Sequence, residues 1–103
     1  VEAWAESESY ALSIYHTASK ILAGGSIGSE SSLGKIFWSE LDHMMHQTAL
    51  KILGASAELV DSSEHDAAQW IKGFMFSYGG PIYAGTNEIQ KNIIAERLLG
   101  LPK

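Results

Sequence analysis

The feature that most constrains this chain is the spacing of its apolar residues between Glu30 and Leu53. Leu33, Phe37, Leu41, Met44, Thr48 and Ile52 form one stripe, widened by Ile36, Met45 and Ala49. Recurrence every three to four residues lays one face of an α-helix against a core. Ser29 can cap this helix, Glu30 suits its first turn, and Gly54 ends it. Gly34 costs roughly 1 kcal/mol against alanine in a helix interior, so it is expected to mark a close approach of another helix. The same spacing runs from Val1 to about Ala23 through Trp4, Ala11, Tyr15, Ala18 and Leu22, flanked by Leu12, Ile14 and Ile21. Gly24-Gly25 stops it, and Ser26 to Gly28 is loop.

A connector from Ala55 to Ser62 follows, with Leu59 and Val60 expected to tuck against the bundle. A third helix from about Ser63 to Tyr78 puts Ala67, Trp70, Ile71, Phe74 and Tyr78 on one face. A fourth runs from Asn87 to about Leu99 and is terminated by Gly100 and Pro102. No period-2 alternation, repeat or low-complexity tract appears. The reading is therefore all-α, a single helical domain over 1–103 forming part of a helical bundle. No capping residue precedes Val1, so the first helix is expected to start upstream, in a longer chain.

Charge and composition exclude several functions. Twelve acidic against seven basic residues give a net charge of −5 with no basic block, which argues against a nucleic-acid partner. With no cysteine, disulfides and thiolate zinc sites are excluded. No apolar run approaches the ~18 residues of a membrane span, and the N-terminus carries no leader pattern. The expectation is a soluble, intracellular, cytoplasmic protein. Glu40-x-x-His43 has the spacing of a di-iron ligand pair, but no second copy exists. His43 and His46 share a face, while His16 and His65 have no partner at ligand spacing. The ordinary reading is a polar rim on the second helix, with no metal. Trp4, Trp38 and Trp70 read as core or interface, since no basic residues interleave with them.

The stretch Gly79-Gly80-Pro81-Ile82-Tyr83-Ala84-Gly85-Thr86-Asn87-Glu88-Ile89-Gln90 is a stiff glycine-rich turn opening into a helix. Pro81 fixes φ, and the glycines permit conformations or approaches that a Cβ would block. Thr86 is a good N-cap, and Glu88 lies in the first turn, where the helix dipole favours an acid. Such a start is expected to leave N–H groups pointing outward, the backbone arrangement that holds phosphate. Ordinary structural punctuation gives the same pattern.

Ile82 to Gln90, continued by Asn92-Ile93-Ile94-Ala95-Glu96-Arg97 and Leu99-Gly100-Leu101-Pro102, resembles the C-terminal signature of the acyl-CoA dehydrogenases. Ser32-Leu33-Gly34-Lys35-Ile36-Phe37 and Ala49-Leu50-Lys51-Ile52-Leu53-Gly54 are similar to the penultimate long helix of that family's C-terminal bundle. The resemblance implies a C-terminal piece of a larger flavoenzyme that uses FAD to introduce an α,β-double bond into acyl-CoA thioesters. On its own the piece is expected to be inactive, because flavin and substrate sites need the absent domains. The resemblance also implies flavin contacts from Gly85, Thr86 and Glu88. Gly54 and Lys51 would approach the cofactor phosphates of a neighbouring subunit in a homo- or hetero-oligomer. Lys51 departs from the family's usual glutamine there. Ala84 stands where many members carry the glutamate that removes the α-proton, so no catalytic base is visible. Some relatives supply it from an earlier helix of the bundle, and others pair a base-less subunit with a competent one. The alternative reading is a non-catalytic helical interaction module, or a base-less subunit of a mixed dehydrogenase assembly.

Overall fold

The computed structural model describes residues 1–58 and 67–103. Every regular element among them is helical, in agreement with the all-α expectation: α1 (Glu2–Leu22), α2 (Glu30–Leu53), a 3₁₀ turn (Gly54–Glu58), α3 (Ala67–Ser77), α4 (Asn87–Ile93) and a π-helical turn (Ile94–Leu98). No described helix is long and apolar enough to cross a membrane. The expected roles of Leu59 and Val60, and the first residues of the expected third helix, lie outside the described residues.

α2 is the hub, against which α1, α3, α4 and both short turns pack. The radius of gyration is 17.1 Å and the extents are 50 × 31 × 21 Å, whereas a compact domain of this length has a radius of about 13 Å. The helices form an open slab. Leu41, Ala57 and Ala67 are the buried apolar residues among those described.

The expected inner stripe of α2 is not its buried face. Leu33 is exposed, Phe37 borders on exposed, and Ile52 is 81% exposed; of that stripe only Leu41 is buried. A second row of protected positions runs through Ser32, Ile36, Ser39, His43, His46, Leu50 and Leu53, at spacings of four and three. At about 100° per residue they are centred roughly 160° round the helix from the expected stripe. The closest approaches of this seam to α3 and α4 are made by Ser39, His43 and His46. Leu33 and Phe37 instead line the groove between α1 and α2.

α1 has no buried residue. Trp4 and Leu22, both placed on an inner face by periodicity, are 69% and 89% exposed. α1 has α2 as its main neighbour and meets it through Tyr10, stacked on Phe37 with centroids 5.9 Å apart. The Lys20–Glu30 ion pair closes the connection. That bond is the first reason why the exposed Glu30 carboxyl is held below its usual range, ahead of its own amide. Ser29 makes no side-chain cap; the Ser31 and Ser32 amides donate to the Gly28 and Ser29 carbonyls instead.

Glycine marks the close approaches, at positions other than Gly34. A Cβ on Gly34 would meet nothing within 4 Å, because Gly34 opens onto the α1/α2 groove. On Gly73 it would lie 2.4 Å from His46 Nε2, and on Gly80 it would lie 3.2 Å from Ser39 Cβ. The expected α3 face does meet α2: Trp70 sits on His46, and Phe74 and Tyr78 flank His43. The expected fourth helix is shorter than its pattern, turning π-helical at Ile94, where the Leu99 amide reaches the Ile94 carbonyl at 3.0 Å.

Candidate functional site

The turn between α3 and α4 is built by backbone hydrogen bonds that leave little freedom. The Gly79 and Gly80 amides extend α3 onto the Phe76 and Ser77 carbonyls, and the Ile82 and Tyr83 amides both donate to the Gly79 carbonyl. Tyr83 is held beside Trp38 and Phe76, with centroids at 6.1 and 6.4 Å. The next two residues are left-handed: Ala84 at φ 55° and Gly85 at φ 86°. Ala84 is the one non-glycine residue at positive φ among those described, a conformation that costs an L-residue about 1 kcal/mol. Gln90 offsets that cost by reaching back to donate Nε2–H to the Ala84 carbonyl at 3.0 Å. The Asn87 amide then closes the turn on the Pro81 carbonyl at 2.9 Å.

Thr86 caps α4 as its sequence position predicts, accepting the Ile89 amide at 3.3 Å. Two of the N–H groups expected to point outward from this helix start are already taken. Asn87 N–H is spent on the Pro81 carbonyl and Ile89 N–H on the Thr86 hydroxyl. The start of α4 therefore offers an anion fewer free amides than its sequence suggests. What it displays is an acceptor: Glu88 is exposed. Its own amide, the Thr86 hydroxyl, and the nearby Lys91 and Lys35 charges hold its carboxyl below the usual range. A depressed folded-state pKa stabilises the helix start above the ordinary carboxylate range. That contribution is lost as pH falls through the depressed value.

Lys51 and Gly54 are exposed at the far end of α2. Gly54 is left-handed at φ 57°, with nothing within 4 Å of where its Cβ would stand. α4 docks at Ser39, and the fifteen positions from there to Gly54 span about 22 Å of helix. One chain does not bring Gly85, Thr86 and Glu88 together with Lys51 and Gly54.

His43 and His46 are interface residues rather than a rim; His16 is exposed, and His65 lies outside the described residues. His43 Nδ1 lies 2.9 Å from Ser77 Oγ. Ser77 spends its own proton on the Phe74 carbonyl at 2.7 Å, so His43 is the donor. His46 donates Nδ1–H to the Asp42 carbonyl at 2.8 Å. Glu40 lines the α1/α2 groove, whereas His43 is engaged by Ser77 on the α3 side. No cluster of three metal-ligating side chains occurs among the described residues.

Residues 1–99 match the family model of the acyl-CoA dehydrogenase C-terminal domain. The chain belongs to this family. It is 35% identical over 74 residues to acyl-CoA dehydrogenase IpdE1 of Mycolicibacterium smegmatis, covering 72% of this chain and 18% of that protein. It is 34% identical over 74 residues to acyl-CoA dehydrogenase IpdE1 of Mycobacterium tuberculosis, covering 72% of this chain and 19% of that one. The chain thus spans about a fifth of the length of these relatives. No solved structure matches it.

In this acyl-CoA dehydrogenase domain, three residues around the turn escaped the sequence reading: Lys35, Ser39 and Asn87. Lys35 Nζ donates to Asn87 Oδ1 at 2.7 Å, and Asn87 Nδ2 donates to Ser39 Oγ at 3.1 Å. The available signal was the seven-residue interval from Ser32 to Ser39 to His46, a seam spacing that a search for apolar periodicity passes over.

Proposed function

We propose that this chain serves as the C-terminal helical domain of an FAD-dependent acyl-CoA dehydrogenase, which introduces an α,β-double bond into an acyl-CoA thioester. In that role it contributes flavin contacts and subunit contacts. The observation that carries the reading is the left-handed Ala84-Gly85 pair, held by Gln90 and closed by Asn87, in a family member. Strain of this kind persists where the surrounding structure over-determines it, and it concentrates at ligand sites.

The residues at the two ends of α2 fit different parts of the cofactor. Thr86 and Glu88 offer acceptor chemistry, suited to hydroxyl or N–H groups of the flavin and ribityl chain and unsuited to its diphosphate. Lys51 offers a cation, and Gly54 offers unshielded backbone, both suited to the diphosphate. Their separation along α2 supports service to two different flavins in a homo- or hetero-oligomer. The exposed apolar side chains of α1 and α2 support such assembly. FAD supplies the two-electron oxidation that the reaction requires. Ala84 carries no group able to accept the α-proton, so a carboxylate elsewhere in the assembly takes it.

The test is flavin retention in the full-length parent. Thr86→Ala and Glu88→Ala are each expected to weaken FAD binding about fivefold, the loss of one hydrogen bond worth roughly 1 kcal/mol. Titration of the deflavinated protein, followed by flavin fluorescence, measures this. Unchanged affinity in both variants would reduce these residues to helix caps, and a colourless native parent would overturn the flavoenzyme reading.

A further inference from the structure

Asn87 stands in sequence between Thr86 and Glu88, yet it is 5% exposed and turned into α2. Its partner Ser39 is fully buried. The Ser39 hydroxyl lies 2.9 Å from the Ile36 carbonyl and 3.3 Å from Asn87 Oδ1. The shorter contact takes its single proton, which leaves a lone pair on Ser39 Oγ for the Asn87 amide. The bonds therefore run in one direction, from Lys35 to Asn87, from Asn87 to Ser39, and from Ser39 to the α2 backbone. Each acceptor is used and each buried polar atom is satisfied. Gly80 packs against the same serine from the α3 side, so both ends of the turn are seated on one residue of α2.

An apolar plug would seat a helix equally firmly. What the polar arrangement adds is direction, because these bonds are satisfied at a single register of α4 on α2. Asn87 also closes the turn through its own backbone amide. A shift of its side chain thus moves Thr86 and the left-handed Ala84-Gly85 pair before it and Glu88 directly after it. Lys35 completes the link electrostatically, being one of the cations that act on Glu88.

We infer that Lys35, Ser39 and Asn87 form a positioning network that sets how the Ala84–Glu88 turn presents its groups to a bound flavin. This inference rests on the flavin-site reading above. Its members touch no cofactor themselves.

The experiment uses the full-length parent and measures FAD affinity together with stability to urea. Asn87→Ala is expected to weaken FAD about tenfold. Leu41→Ala, which empties a buried site about 160° round the same helix from Ser39, is the control for lost stability and is expected to leave FAD affinity within about twofold. Lys35→Met is expected to weaken FAD about fivefold, and Lys35→Arg, which keeps a donor, to restore most of it. In the Lys35→Met/Asn87→Ala double variant the loss should match that of Asn87→Ala alone, because both changes break one network. The lysine pair also serves as the test if Asn87→Ala does not fold. Three results would overturn the inference: equal FAD loss in Asn87→Ala and Leu41→Ala, equal behaviour of the two lysine variants, or additive losses in the double variant. If native parent binds FAD and Thr86→Ala weakens it while the network variants do not, only this inference fails. A native parent that binds no FAD sinks the underlying reading and this inference with it.

Discussion

Ala84→Glu in the full-length parent is expected to slow turnover at least tenfold near neutral pH. The acidic limb of the pH–rate profile is expected to move upward by about one unit. The side chain at residue 84 is displayed from a turn in which φ is 55° and the position is exposed, so a longer side chain projects outward without displacing the core. Under the proposed function it projects toward the reacting carbon, where a base from elsewhere already operates. A second carboxylate beside that base disfavours its ionised form and raises its pKa. A base with a raised pKa stays protonated, and so idle, to higher pH, and activity should recover on the alkaline side. Ala84→Gln, similar in size and uncharged, should leave the profile where it was, and Ala84→Gly should be tolerated. If neither rate nor profile responds to Ala84→Glu, residue 84 does not face the substrate.

Gly73→Val is expected to be the most damaging single change to the fold, at about 3 kcal/mol, the upper part of the usual range for overpacking. The new Cβ would fall 2.4 Å from His46 Nε2 and 2.7 Å from Cδ2. His46 cannot step aside without giving up its bond to the Asp42 carbonyl and its edge-to-face contact with Trp70. Urea unfolding followed by circular dichroism reads the loss, and in a domain of this size each kcal/mol moves the melting temperature by roughly 4–8 °C. Gly34→Ala is the counterpart. It meets open space and should stabilise α2 by roughly 0.5–1 kcal/mol. Native-like stability of Gly73→Val would show that the α2–α3 approach is looser than the geometry indicates.

The contrast between these two glycines shows where the sequence was legible. A helical glycine at a close approach and one facing a groove look alike in one dimension, because the difference belongs to the neighbouring helix. Punctuation read well. Gly24, Gly54, Gly85 and Gly100 are all left-handed in the structure, and Thr86 caps α4 as its chemistry demands. The length of α2 and the α3 face that meets it were also readable, since both follow from local spacing. The buried face of α2 was not. Ser32, Ser39, His43 and His46 contribute nothing to an apolar stripe, yet hydrogen bonding and small size make them the side that packs. α1 misled for a related reason, since its apolar residues are real and its main neighbour covers only the Tyr10 side. At the candidate site the turn itself was legible. The closing bond of the Asn87 amide was not, because the Pro81 carbonyl reaches it only in three dimensions.

The seam of α2 has a consequence for how such a domain changes over time. Its geometry is kept by pairs such as Asn87 with Ser39 and His43 with Ser77, and a change in either member forfeits a bond that no neighbour can replace. The outward aliphatic and aromatic residues carry no such obligation. Leu33, Ile52, Leu12 and Tyr15 are free to be exchanged in size and shape while the turn at Ala84 stays where it is. The two faces are thus expected to tolerate exchange differently, so that what the domain docks against can be remodelled while the turn keeps its place.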